Sequence, residues 1–150
     1  MPRDVTVRPA TADDLTGVLG VLDSAALETE ADRVRASVDR GDAFVAVREE
    51  TETSAEGAVL GAIVLVRPAD TDGSDAAHVD AVAVRRRRRG QGIGRALVSA
   101  AAGRYDRLVA EFGAGVRPFY ESLGFEIEPL DGERDRYRGV SDGPISLDDD

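Results

Sequence analysis

The chain has 150 residues, no cysteine, one histidine and a formal net charge of −10. That length suits one domain around one core; the missing cysteines exclude disulfides and thiolate metal sites, and a lone histidine leaves no transition-metal centre to expect. No apolar run approaches the ~20 residues that span a bilayer, and MPRDVTVRPATADDL at the N-terminus lacks the apolar core of a signal peptide, so a cytoplasmic protein without membrane attachment is expected.

Asp4 to Arg8 (DVTVR) alternates as a first strand, and TADD after it supplies an N-cap and first-turn acids for a helix from Asp13 to Leu22. A second helix is expected over Glu30–Asp39, with Val34 and Val38 on one face and Gly41 as terminator. The period then changes to that of strands. Ala43–Glu50 and Val59–Pro68 read as a hairpin across a polar loop, and HVDAVAV (His78–Val84) as a further strand whose His78, Asp80, Val82 and Val84 share a face. GRALVSAAAGRY has helical spacing and ends near Gly103. RLVAEF reads as a strand, Pro118–Leu123 as a short helix stopped by Gly124, Phe125–Pro129 as a strand, and ERDRYRGV as an antiparallel partner for it. Residues 1–140 are expected to form a single domain and 141–150 an acidic, flexible tail.

The chemistry is concentrated in RRRRRGQGIGRAL, Arg85 to Leu97. Every basic residue in the chain is arginine, and the acids gather in loops such as EETETSAEG and in the tail. This composition fits a halophilic protein, because in molar salt the Debye length shrinks to about 3 Å and repulsion between surface carboxylates is screened. A local arginine run therefore stands out. It is not a P-loop, which needs a lysine, nor a dinucleotide fingerprint, whose third glycine position holds Arg95. What remains is strand, basic turn, glycines and helix. Glycine allows close backbone approach, a helix start offers unpaired N–H groups, and arginine adds charge-assisted contacts, so the stretch suits a pyrophosphate. A solvated charge run beside an ordinary glycine turn is the alternative.

Arg89-Gly90-Gln91-Gly92-Ile93-Gly94 resembles the [RQ]-x-x-G-x-[GA] signature of the GNAT superfamily of N-acetyltransferases, with Val84 closing the strand before it. RPFYESLGFEI, starting at Arg117, resembles the family's second conserved segment, and VRPATADDL its usual opening. The resemblance implies an α/β (α+β) GNAT fold: a mostly antiparallel, mixed sheet of six to seven strands flanked by about four helices. It implies acetyl-CoA as co-substrate, with backbone N–H groups from Arg89 through Gly90, Gln91, Gly92, Ile93 and Gly94 to Arg95 meeting the pyrophosphate, and the pantetheine arm along the strand edge at Val82, Ala83 and Val84. Arg85 to Arg88 fall in a variable loop of the family, and solvated positions or contacts to the CoA 3'-phosphate are both open.

Transfer to an amine needs a base, since an alkyl ammonium with a pKa near 10.4 is charged at neutral pH. His78 and Asp80 stand where the arylalkylamine N-acetyltransferase branch carries paired histidines, and either is a candidate, directly or through water. Tyr120 is the candidate acid for the departing thiolate, with a purely structural aromatic beside Phe119 as the alternative. The N–H of Val82 is expected to polarise the thioester carbonyl, which would require a bulge the sequence does not reveal. Two rivals are a nucleic-acid binder using Arg85–Arg89, opposed by the absence of interleaved aromatics and by the salt sensitivity of phosphate contacts, and a non-catalytic acetyl-CoA sensor. The acceptor is expected beside SAALETEA (Ser24–Ala31), where Glu28 or Glu30 would meet an amine. A small amine, an amino acid, a peptide N-terminus and a protein lysine all stay open as acceptors, and so does a homodimer.

Overall fold

Seven strands and four α-helices are formed by the residues that the computed structural model describes: 5–24, 31–48, 59–66, 76–105, 107–130, 132 and 134–142. In chain order they are β1 (Val5–Pro9), α1 (Leu15–Ser24), α2 (Ala31–Asp39), β2 (Ala43–Arg48), β3 (Val59–Val66), β4 (Ala76–Val84), α3 (Ile93–Arg104), β5 (Arg107–Gly113), α4 (Arg117–Ser122), β6 (Glu126–Pro129) and β7 (Arg136–Asp142). None of the described helices is long and apolar enough to cross a membrane. The first helix begins two residues later than its acidic turn implied. Ala12–Asp14 forms a 3-10 turn in which the buried Asp14 carboxylate accepts the Thr11 N–H at 2.8 Å and the Arg8 guanidinium at 2.7 Å, drawing the acids into a cap.

The strands form one sheet in the order β1-β2-β3-β4-β5-β7-β6, antiparallel everywhere except between β4 and β5. The last alternating segment pairs with β6 as expected, but it also lies against β5 over seven residue pairs, from Arg107↔Asp142 to Gly113↔Arg136. This second partner carries β7 through Asp142, two residues into the segment read as tail. Residues 143–150 lie outside the described set.

Helices cover both faces of the sheet centre, and each face has its own core. Val18, Val21, Val34 and Val38 of α1 and α2 pack on one side with Val45, Val64, Ala81 and Ala83, while Ile93, Leu97 and Ala101 of α3 pack on the other with Ile63, Leu65 and Phe112. β3 is enclosed from both sides, which is why VLGAIVLV is a continuous apolar run instead of an alternating one.

Two features of β4 prepare the site. Its register against β3 slips at Asp80: Val64 pairs with Ala81 and Leu65 with Val79, leaving Asp80 as the extra residue of a bulge. Ala77 and Val79 therefore share the α3 face with Val82 and Val84, a parity that simple alternation forbids. The shared face expected for His78, Asp80, Val82 and Val84 is accordingly corrected. His78 lies on the opposite face from Val82 and Val84, and Asp80 reaches α2, where its carboxylate accepts Arg33 at 2.9 Å. The second feature is a split. β4 and β5 pair only at Ala76↔Arg107, Ala77↔Leu108 and His78↔Val109, and then part, so the rest of β4 presents an edge that β5 does not cover.

Candidate active site

The parting of the two strands opens a cleft of about 840 Å³, with Val79–Val84 along one wall and Glu111–Gly113 along the other. The direction of the backbone groups in that wall follows from one bond. Arg85 N–H donates to the Leu60 carbonyl at 2.8 Å, and strict alternation of an antiparallel ladder then turns the N–H and C=O of Val84 and Val82 away from β3, into the cleft. Arg89 already uses one of them, its Nε donating to the Val84 carbonyl at 3.1 Å. The edge can thus pair with an amide-bearing ligand as a further strand would.

The glycine motif stands at the end of this wall. Gly90 (φ 79°) and Gly92 (φ 87°) both occupy the left-handed region, which costs glycine nothing and turns the chain sharply into α3. The first helical bond runs from Ala96 N–H to Gly92 C=O at 3.0 Å, so the N–H groups of Ile93, Gly94 and Arg95 have no acceptor within the helix and mark its positive end. Arg89 departs from expectation, since its N–H donates to Arg86 C=O at 3.3 Å within the Arg86–Arg88 3-10 turn. Gly94 has a packing role as well: a Cβ there would lie 3.1 Å from Phe119 of α4, so its bareness brings α3 and α4 together. Arg95 secures the same contact by donating to the Ser122 carbonyl at 2.9 Å.

The five consecutive arginines do not act as one patch. Arg85 turns inward and donates from Nε to the Val59 carbonyl at 2.8 Å. Arg86 and Arg87 are exposed and stand outside the cleft lining, whereas Arg88 and Arg89 line it. Gln91 is exposed and also outside the lining.

Tyr120 reaches the cleft from α4 through an aromatic nest. Its ring stacks on Phe112 with centroids 4.3 Å apart and meets Phe119 and Phe125 edge-on, each at 5.1 Å. The side chain is 4% exposed, yet it lines the cleft, and its hydroxyl has no hydrogen-bond partner among the described residues. Burial pushes the phenol up to about 12, so it keeps its proton across the neutral range.

Of the two candidate bases only Asp80 lines the cleft. His78 sits where the strands are still paired, one step before they part, and is not part of the lining. A carboxylate that the sequence reading passed over faces Asp80 across the split: Glu111, on β5, exposed and ion-paired with Arg138 at 3.1 Å. Only the unpairing of β4 from β5 makes Glu111 a site residue, and no local pattern signals it. Glu28 and Glu30 lie outside the described residues.

Residues 39–127 match the acetyltransferase (GNAT) domain family. A search of curated proteins found no match. Among solved structures, the chain is similar to one from the NatC complex bound to Gag peptide and CoA (17% identity, TM-score 0.74, 95% of this chain and 99% of that one). It is similar also to a GNAT-family acetyltransferase from Bacillus cereus (13%, 0.72, 93% and 97%). The N-acetylglutamate synthase of Neisseria gonorrhoeae, complexed with coenzyme A and N-acetyl-glutamate, matches at 16% and 0.67 over 95% of this chain and 36% of its own.

Proposed function

The chain belongs to the GNAT acetyltransferase family, and from that premise we propose that it moves the acetyl group of acetyl-CoA to a primary amine by direct attack of the amine on the thioester. The observation that carries this reading is the split between β4 and β5 beyond His78↔Val109, with the start of α3 at its rim and Tyr120 among the residues that line it. The cleft suits the donor in three respects. The N–H groups of Ile93 and Gly94 at the positive end of α3, with Arg88 and Arg89 beside them, offer a pyrophosphate site. The Val82 and Val84 edge offers amide pairing for the pantetheine arm, and the Val82 N–H is aimed where a thioester carbonyl would develop negative charge.

The amine nitrogen attacks the carbonyl carbon, the C–S bond breaks, one proton leaves the nitrogen and one reaches the sulfur. Tyr120 supplies the proton to sulfur, being protonated throughout the neutral range. The base is a cleft carboxylate, Asp80 or Glu111, acting directly or through water. His78 is not among the residues that line the cleft, which favours the carboxylates as the base. Division of Arg85–Arg89 between the β3 backbone, the solvent and the cleft argues against a nucleic-acid face. A tyrosine hydroxyl without a hydrogen-bond partner among the described residues argues for turnover rather than sensing.

A panel of amines incubated with acetyl-CoA, with free thiol followed, tests the reading. Thiol release that depends on an acceptor and is lost in Tyr120→Phe supports it. Acetyl-CoA binding with no release for any amine would leave a sensor.

A further inference from the structure

The cleft is lined by residues from both faces of the sheet. Leu108, Ala110 and Phe112 of β5 belong to the core under α3, so Glu111 and Gly113 face the other way, as do their register partners Arg138 and Arg136. The donor elements, α3 and its arginines, stand on the first side. On the second side arginines answer carboxylates one for one, Arg107 with Asp142 at 2.7 Å and Arg138 with Glu111 at 3.1 Å. Arg136 breaks this rule. It lines the cleft and is exposed, yet it makes no ion pair or side-chain hydrogen bond among the described residues, in a chain with 29 acidic residues.

Its position is held by the backbone. Asp135, immediately before it, adopts φ 60°, a left-handed conformation uncommon outside glycine, and its carbonyl accepts the Ala114 N–H at 3.1 Å. Arg136 C=O in turn accepts the Leu130 N–H at 2.9 Å. Opposite it in register is Gly113, which places no side chain beside the guanidinium.

We propose that Arg136 reads a carboxylate on the acceptor, so that the substrate is an amine that also carries an acid group: a free amino acid, or a peptide with an acidic side chain near its N-terminus. The proposal rests on the acetyltransferase reading above and narrows its acceptor. A guanidinium binds a carboxylate through two parallel N–H bonds, and the nearby Asp80 and Glu111 favour the amine end of such a molecule while disfavouring a doubly charged phosphate. Arg136 is a specificity residue here and takes no part in proton transfer.

The test uses acceptor pairs that differ only in the acid group: amino acids against their carboxamides, and peptides beginning with Glu against the same peptides beginning with Gln. Thiol release from acetyl-CoA is measured for wild type, Arg136→Gln and, as a charge-matched control on the same face, Arg107→Gln. Wild type should favour the acidic member of one pair type about tenfold or more in kcat/KM, and which pair type responds identifies the source of the carboxylate. Arg136→Gln should abolish that preference through KM with kcat little changed, and Arg107→Gln should retain it. Equal use of both members by wild type, or a preference that survives in Arg136→Gln, overturns the proposal. So does turnover confined to phosphorylated amines, or the failure of every acidic amine while acetyl-CoA still binds. Loss of acetyl-CoA binding itself would instead overturn the acetyltransferase reading.

Discussion

The rings of Phe112 and Tyr120 lie 4.3 Å apart and within 14° of parallel, so the wall of the cleft fixes the plane of the tyrosine ring. Tyr120→Phe keeps this stack and removes only the O–H. Acetyl-CoA affinity should hardly change while kcat falls ~10²-fold, the lower end of what a general acid contributes. A hydroxyl serving the fold alone would instead cost about 1 kcal/mol of stability and leave turnover intact. Melting temperature and kcat measured on one preparation separate the two.

Alkaline stability should report the same hydroxyl. The folded Tyr120 pKa of about 12 stands above its ordinary value of 10.0, so between those values the unfolded chain releases a proton that the folded chain retains. Stability from this residue is complete below pH 10 and is lost as pH rises towards 12, by about 2–3 kcal/mol in all. Urea titrations across that window should show a shallower loss for Tyr120→Phe than for wild type.

The arginine run should divide into three behaviours. Arg86→Gln and Arg87→Gln should leave acetyl-CoA affinity within about twofold, as exposed charges contribute little. Arg88→Gln or Arg89→Gln should weaken it about tenfold through loss of a charge-assisted contact. Arg85→Ala should lower the melting temperature instead, because its guanidinium donates to the Val59 carbonyl. Calorimetry and thermal melts on the same five variants check this.

Gly94 should prove structural where Gly92 is functional. A methyl group at 94 meets Phe119 at 3.1 Å and pushes α3 from α4, so Gly94→Ala should cost about 1–3 kcal/mol of stability, read from denaturant midpoints.

Much of this was legible in the sequence because it depends on local pattern. Val34 and Val38 at helical spacing, Gly41 and Gly124 as helix stops with positive φ, and the unbroken apolar run of β3 each follow from neighbours along the chain. The glycines before α3 were legible for the same reason. What escaped depends on partners far away in sequence. The bulge at Asp80 exists only relative to β3, and by inserting one residue it reversed the face assigned to His78. Glu111 and Arg136 reach the cleft only because β5 leaves β4 after three pairs and takes β7 on its other side. Arg85 looked like one cation among five until the Val59 carbonyl beside it came into view.

The central claim is that the split between β4 and β5, closed at one end by the turn into α3, receives acetyl-CoA. Titration calorimetry with acetyl-CoA on wild type, Gly92→Ala and Gly92→Glu tests it most directly. The account predicts saturable binding to wild type and its loss in Gly92→Glu, where a side chain and a negative charge would enter the pyrophosphate position, with the fold intact by circular dichroism. Gly92→Ala, which adds the left-handed strain of about 1–2 kcal/mol without the charge, should retain measurable binding. Wild-type affinity in Gly92→Glu, or no binding to the wild-type chain, would contradict the account.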